Sequence, residues 1–190
     1  MANKMALKRL RNSDLTLFEY QFRTTSGAKQ KAINLNRDIF VDVVYPALSQ
    51  PIARQRFPVD LYLYGPGLAG EVNLQRKTLK QDKNWRLNGE LVYNPIDHPN
   101  RYDVLQADDL ALFEFSEGIY PSTLRIAFLA KSLPEDAALH SALDSVLGSL
   151  SMKEITSTQL EQVLVAVNPA MAHPIRGFRY LLRKGGSGRN

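Results

Sequence analysis

The chain contains no cysteine, which excludes a disulfide framework and a thiolate-ligated zinc site. It has no apolar run near the ~20 residues that a membrane-spanning helix requires. The opening stretch, Met1 to Arg9, lacks the apolar middle of a secretory signal, so a cytoplasmic protein is expected. Histidine is scarce: His98, His140 and His173 are too dispersed for a zinc pattern. No G-x-S-x-G elbow occurs, and without cysteine there is no thiol nucleophile. These absences leave no recognisable catalytic set, so catalytic and metal-binding residues are both expected to be none.

What is present is unevenly distributed charge. The 190 residues carry a net charge of +5. Residues 1–90 hold +7, residues 91–170 hold −7 and residues 171–190 hold +5, by count of Lys and Arg against Asp and Glu. A basic front, an acidic body and a basic tail offer one face to a polyanion and keep the rest repelled from it.

Alternation of apolar residues predicts strands at 14–23 (with a bulge at Leu17-Phe18), 31–36, 59–64, 71–76, 85–87, 110–115 and 123–129, with weaker candidates at 91–93 and 102–105. A short buried helix is expected over 38–45, with Asn36 as its cap and Pro46 ending it. A second helix opens at a Ser132–Glu135 capping box and places Leu139, Leu143, Val146, Leu147 and Leu150 on one face. His140 is expected on its surface. A third is capped by Thr158 with Glu161, buries Leu160, Val163, Leu164 and Val167, and stops at Asn168-Pro169. The order predicts a mainly β fold with short helices, an open antiparallel β-pseudobarrel with helices capping its ends. Residues 1–150 would form the barrel, 151–182 a C-terminal helical appendage, and 183–190 a flexible linker or tail.

Two motifs are decoys. Gly65-Pro66-Gly67-Leu68-Ala69-Gly70 spells G-x-G-x-x-G, but a strand pattern follows where a dinucleotide site needs a helix, so a tight hairpin is expected. Asp60 and Glu71 are spaced like the acids of a metal-dependent nuclease, which keeps open a small nuclease as an alternative.

Two polar, basic segments carry the binding chemistry. The first contains Arg23, Thr25, Ser26, Lys29, Gln30, Lys31 and, beyond it, Asn36; the second contains Arg76, Lys77, Lys80, Gln81, Asp82, Lys83, Asn84, Trp85 and Arg86. In the second, five cations stand against one acid. Cations mixed with amides and hydroxyls can hold phosphates and read base edges together. Few aromatics interrupt these segments, which favours a duplex over a single-strand stacking platform. Lys8, Arg9, Arg11, Arg54 and Arg56 lie outside both segments and are the expected phosphate contacts.

Four stretches then carry a resemblance: Phe22-Arg23 with its loop into Ile33-Asn34-Leu35; Val44-Tyr45-Pro46-Ala47-Leu48; Gln81-Asp82-Lys83 leading through Asn94-Pro95 and Asp97 to Leu110-Ala111-Leu112-Phe113; and Arg125-Ile126-Ala127-Phe128 running into Pro134-Glu135-Asp136 and on to Leu147-Gly148. Over about residues 15–150 the succession resembles the N-terminal effector domain of EcoRII-type restriction endonucleases, which share the plant "B-three" DNA-binding pseudobarrel. The resemblance implies an N-arm at Arg23 to Asn36 and a C-arm at Lys80 to Arg86 gripping the major groove, and a CCWGG-like target class. This chain has Asn84 where that family has arginine. The expected function is therefore sequence-specific duplex DNA recognition within a type II restriction endonuclease, as target recogniser or allosteric effector. A transcriptional regulator on the same fold is a further alternative. No cofactor is expected in this domain; Mg2+ would belong to a separate nuclease domain, expected after Asn190. The isolated domain is expected to be a monomer.

Overall fold

The computed structural model describes residues 3–50, 55–81, 83–167 and 173–175, without the side chains of Gln75 and Arg76. Among the described residues eight strands form one sheet: β1 (Lys4–Arg9), β2 (Ala32–Leu35), β3 (Arg56–Tyr64), β4 (Val72–Gln81), β5 (Trp85–Asn88), β6 (Leu110–Phe115), β7 (Thr123–Leu129) and β8 (Met152–Ile155). Their order is β2-β5-β4-β3-β7-β6-β1-β8. The two edges of this sheet approach each other. The Asn36 amide, just after β2, donates to Ser151 Oγ, just before β8, at 2.7 Å. The sheet is thus a nearly closed barrel. One pairing differs from the antiparallel expectation: β3 and β7 run parallel, because the chain crosses between them through β4, β5 and β6 instead of returning by a hairpin.

β6 explains why the middle of the chain reads as a continuous apolar run. Ala111, Phe113 and Phe115 fill the barrel interior, while Leu110 and Leu112 join a second core outside it. That outer core is closed by α4 (Pro134–Leu147) and α5 (Ser157–Val167). A strand covered on both faces shows no polar alternation. β7 is divided the same way, with Leu124, Ile126 and Phe128 inside and Ala127 and Leu129 outside.

Several elements depart from expectation. Residues 14–23 are not a strand but α1 (Asn12–Leu15) and α2 (Glu19–Thr24), since Leu15, Leu17 and Phe18 are all buried and no period of two puts all three on one face. β1 and β8 are strands where none was expected, and β8 pairs with β1, so residues 152–155 belong to the barrel sheet. Residues 91–93 make a single bridge, Val92 to Phe18, and 102–105 form a turn. The helix near 38–45 is α3 (Arg37–Ile39) continuing into a π-helical turn, Phe40–Val44; Asn36 sits at its cap position without bonding it, and Pro46 opens a 3-10 turn, Pro46–Ser49.

The capping box expected at Ser132 is absent, and Leu133 stands at the cap position of α4. The Asp136 carboxylate instead accepts from the backbone N–H of Ala130 (2.9 Å) and of Gly67 (2.8 Å), tying the glycine hairpin to the start of α4. His140 is buried, not on the surface, and Leu150 is exposed. At α5 the reciprocal cap is Thr156 with Gln159, two residues before the expected pair. Asn168-Pro169 and the linker at 183–190 lie outside the described residues.

Candidate nucleic-acid interface

Where the sheet edges meet, an open groove of about 480 Å³ forms. The end of β2 contributes Asn34, Leu35 and Asn36, and the start of α3 contributes Arg37 and Asp38. The β4–β5 hairpin supplies Gln81, Lys83, Asn84 and Trp85; β1 and α1 supply Lys8, Arg11 and Asp14; Ser151 closes the far side. Asp14 organises this floor. It is 1% exposed and accepts the backbone N–H of Arg11 and of Asn34, both at 2.9 Å, while Lys8 Nζ lies 3.4 Å away.

Beside the groove the strand register aligns cations. Asn34 pairs with Arg86, Arg86 with Lys80, and Lys80 with Arg56. Neighbouring strands lie about 4.8 Å apart, so three like charges and an amide cross four strands in one row. Their inward neighbours, Leu35, Trp85, Leu79 and Phe57, all pack in or against the barrel core, which turns the row outward. A row of like charges crossing neighbouring strands is a surface complementary in sign to a polyanion. Sequence reasoning assigned Arg56 to phosphate contact and Lys80 and Arg86 to an arm; the register makes them one surface.

The second basic segment is therefore a hairpin, not a loop. Arg76 to Gln81 belong to β4, and only residues 82–84 make the turn. Asp82, Arg54 and the side chain of Arg76 lie outside the described residues. Trp85 turns inward: it is 2% exposed, with its ring centroid 5.1 Å from Phe40 and 6.2 Å from Phe57, so its ring anchors the hairpin to the core. Lys77 is also buried, its Nζ donating to the Glu90 carbonyl. Burial lowers its pKa, opposed in part by the charge of Glu90. Both alternate inward for the same reason that Arg86 and Lys80 alternate outward.

The expected phosphate contacts separate in the same way. Lys8 points into the barrel mouth to Asp14. Arg9 points the other way, to the Asp144 carboxylate and, at 2.8 Å, the Gly148 carbonyl. Arg11 and Arg56 are exposed.

In the first segment Thr25, Ser26, Lys29 and Lys31 are exposed in a loop, with Lys31 Nζ 5.1 Å from the centre of the Phe22 ring. Arg23 pairs with Glu19 at 2.6 Å. The Gln30 amide is spent on the carbonyls of Ser13 (3.1 Å) and Ala32 (3.2 Å), which pins the loop beside α1. Asn34, Arg37 and Ser151 were missed as groove residues. Asn34 and Arg37 lie in and just after the expected N-arm, a local signal; Ser151 has no signal before the edges close.

Asp60 and Glu71 are not brought together. Glu71 accepts from Tyr64 Oη at 2.5 Å, four residues along β3 from Asp60, on the order of 13 Å at ~3.3 Å per residue. No group of three or more His, Asp or Glu residues among those described is placed to hold a metal ion. Among the described residues, no helix is long and apolar enough to cross a membrane.

No known family model matches this chain, and no curated protein matches it.

Proposed function

We propose that this chain is a sequence-specific duplex DNA-binding domain, serving as target recogniser or effector module of a type II restriction endonuclease whose nuclease domain and Mg2+ lie elsewhere in the parent protein. One observation carries the DNA reading: the outward row Arg56, Lys80 and Arg86 leads through Asn34 into a groove whose rim holds Arg11, Arg37, Lys83 and Asn84. Cations along the approach and amides in the groove separate two tasks, holding phosphates and reading base edges. The restriction context and the CCWGG-like target class rest on the family resemblance. The domain is proposed to act in the cytoplasm, to bind as a monomer and to cut nothing by itself.

Titration of labelled duplexes by fluorescence anisotropy across a salt series tests this. Affinity should fall with salt at a slope of about −0.9 per neutralised phosphate. Arg56→Ala and Arg86→Ala should each reduce that slope by about one unit while leaving sequence preference intact. Absence of duplex binding at low salt, or an affinity indifferent to salt, would overturn the proposal.

A further inference from the structure

We infer that Asn84 is a specificity-determining residue that reads adenine, so that the target contains an A·T pair presented to the tip of the β4–β5 hairpin; this rests on the duplex-DNA reading above. The groove lining carries four carboxamides, Asn34, Asn36, Gln81 and Asn84, as many as its cations Lys8, Arg11, Arg37 and Lys83. Their availability differs. Asn36 gives its amide to Ser151 Oγ. Asn34 is half-buried in β2 beside β5, with Oδ1 shielded. Gln81 is half-buried at the end of β4, in register with the buried Trp85.

Asn84 alone of the four is exposed, and its side chain bonds no described residue. Asn88, at the end of β5, and Asn94 differ in being spent on local backbone. Asn88 accepts from Gly89 N at 2.7 Å, and Asn94 donates to the Pro99 carbonyl at 2.6 Å while accepting from Tyr102 N at 2.9 Å.

The chemistry then selects a base. A carboxamide offers one donor and one acceptor side by side, the complement of adenine N7 and N6–H in the major groove. Guanine shows two acceptors there and calls for a cation. Lys83, exposed beside Asn84, is a single point charge suited to a phosphate or an adjacent guanine. The hairpin tip thus carries an adenine reader next to a cation. An A-form RNA duplex has too narrow a major groove to admit it.

The experiment is selection from a randomised DNA duplex library by the full chain and by Asn84→Ala and Asn84→Arg, at one fixed salt concentration. Circular dichroism and Trp85 emission confirm that each variant is folded. The parent should enrich adenine at one position. Asn84→Ala should lose discrimination there by about 5- to 150-fold while other positions persist, and Asn84→Arg should move that position toward guanine. A folded Asn84→Ala whose profile matches the parent at every position overturns the inference and leaves the groove as a DNA site standing. Equal competition by duplex RNA of the selected sequence also overturns it. Failure of the parent to bind any duplex overturns both this inference and the function on which it rests.

Discussion

Replacing Asp14 by alanine removes a side chain that ties α1, β1 and β2 together beneath the groove. Three interactions go at once: the backbone N–H bonds from Arg11 and Asn34, both 2.9 Å, and the contact with Lys8 Nζ at 3.4 Å. Lys8 is itself 2% exposed, so the substitution strands an ammonium away from water. Breaking a buried pair from one side costs about 3–5 kcal/mol. That is a large share of the ~5–15 kcal/mol by which a domain of this kind is folded. The double variant Lys8→Met, Asp14→Ala no longer holds a stranded charge. It should recover part of the loss and retain only the cost of the two orphaned N–H groups, ~1–3 kcal/mol each where they stay dry. Trp85 is the only tryptophan and sits in the groove floor, so its emission reports urea unfolding of this region. A cycle over the parent, both single variants and the double variant should give a coupling above ~1 kcal/mol, against ~0.3–0.5 kcal/mol for the i, i+4 pair Glu19–Arg23, whose arginine is exposed. An Asp14→Ala midpoint within ~0.5 kcal/mol of the parent, the range of ordinary surface changes, would refute the reasoning.

Further outcomes can be checked on the same protein. Burial holds the Lys77 pKa below 10.5, so the unfolded chain binds more protons there and stability should rise as pH climbs toward 10.5; Lys77→Met should lack that rise in pH-dependent urea midpoints and leave DNA affinity unchanged. Burial raises the Glu114 pKa above 4.5, with Asn3 and Arg125 opposing. Its contribution is therefore complete below 4.5 and lost as pH rises through the raised value; the melting temperature of Glu114→Gln should fall less over that window than the parent's. Gly65 has φ +69°, and a Cβ there would lie 2.6 Å from the Phe128 carbonyl oxygen, whereas Gly27 at φ +70° has open space. Gly65→Ala should therefore destabilise the fold by clearly more than the ~1–2 kcal/mol that the left-handed backbone costs at Gly27→Ala; equal thermal unfolding of the two would contradict that packing.

The sequence by itself determined the strands at 59–64, 110–115 and 123–129 and the helices α4 and α5, because their apolar patterns are long enough to have one period or to be buried throughout. It also determined the two polar, basic segments, whose composition needs no fold to be seen. Tertiary structure decided the rest. Lys4 to Arg9 reads as a basic start, yet β1 lies between β6 and β8 with four consecutive residues from Met5 to Lys8 buried, since Lys8 finds Asp14 and Arg9 finds Asp144 only once α1 and α4 are in place. Met152 to Ile155 is too short to declare itself and becomes a strand because β1 offers an open edge. Arg76 to Gln81 has the composition of a loop, and only pairing on both sides by β3 and β5 makes it a strand. That pairing turns Lys77 inward and Lys80 outward on β4, and Trp85 inward and Arg86 outward on β5. Charge can be counted along a chain, but which charges share a surface is set by strand register, a relation between residues far apart in sequence.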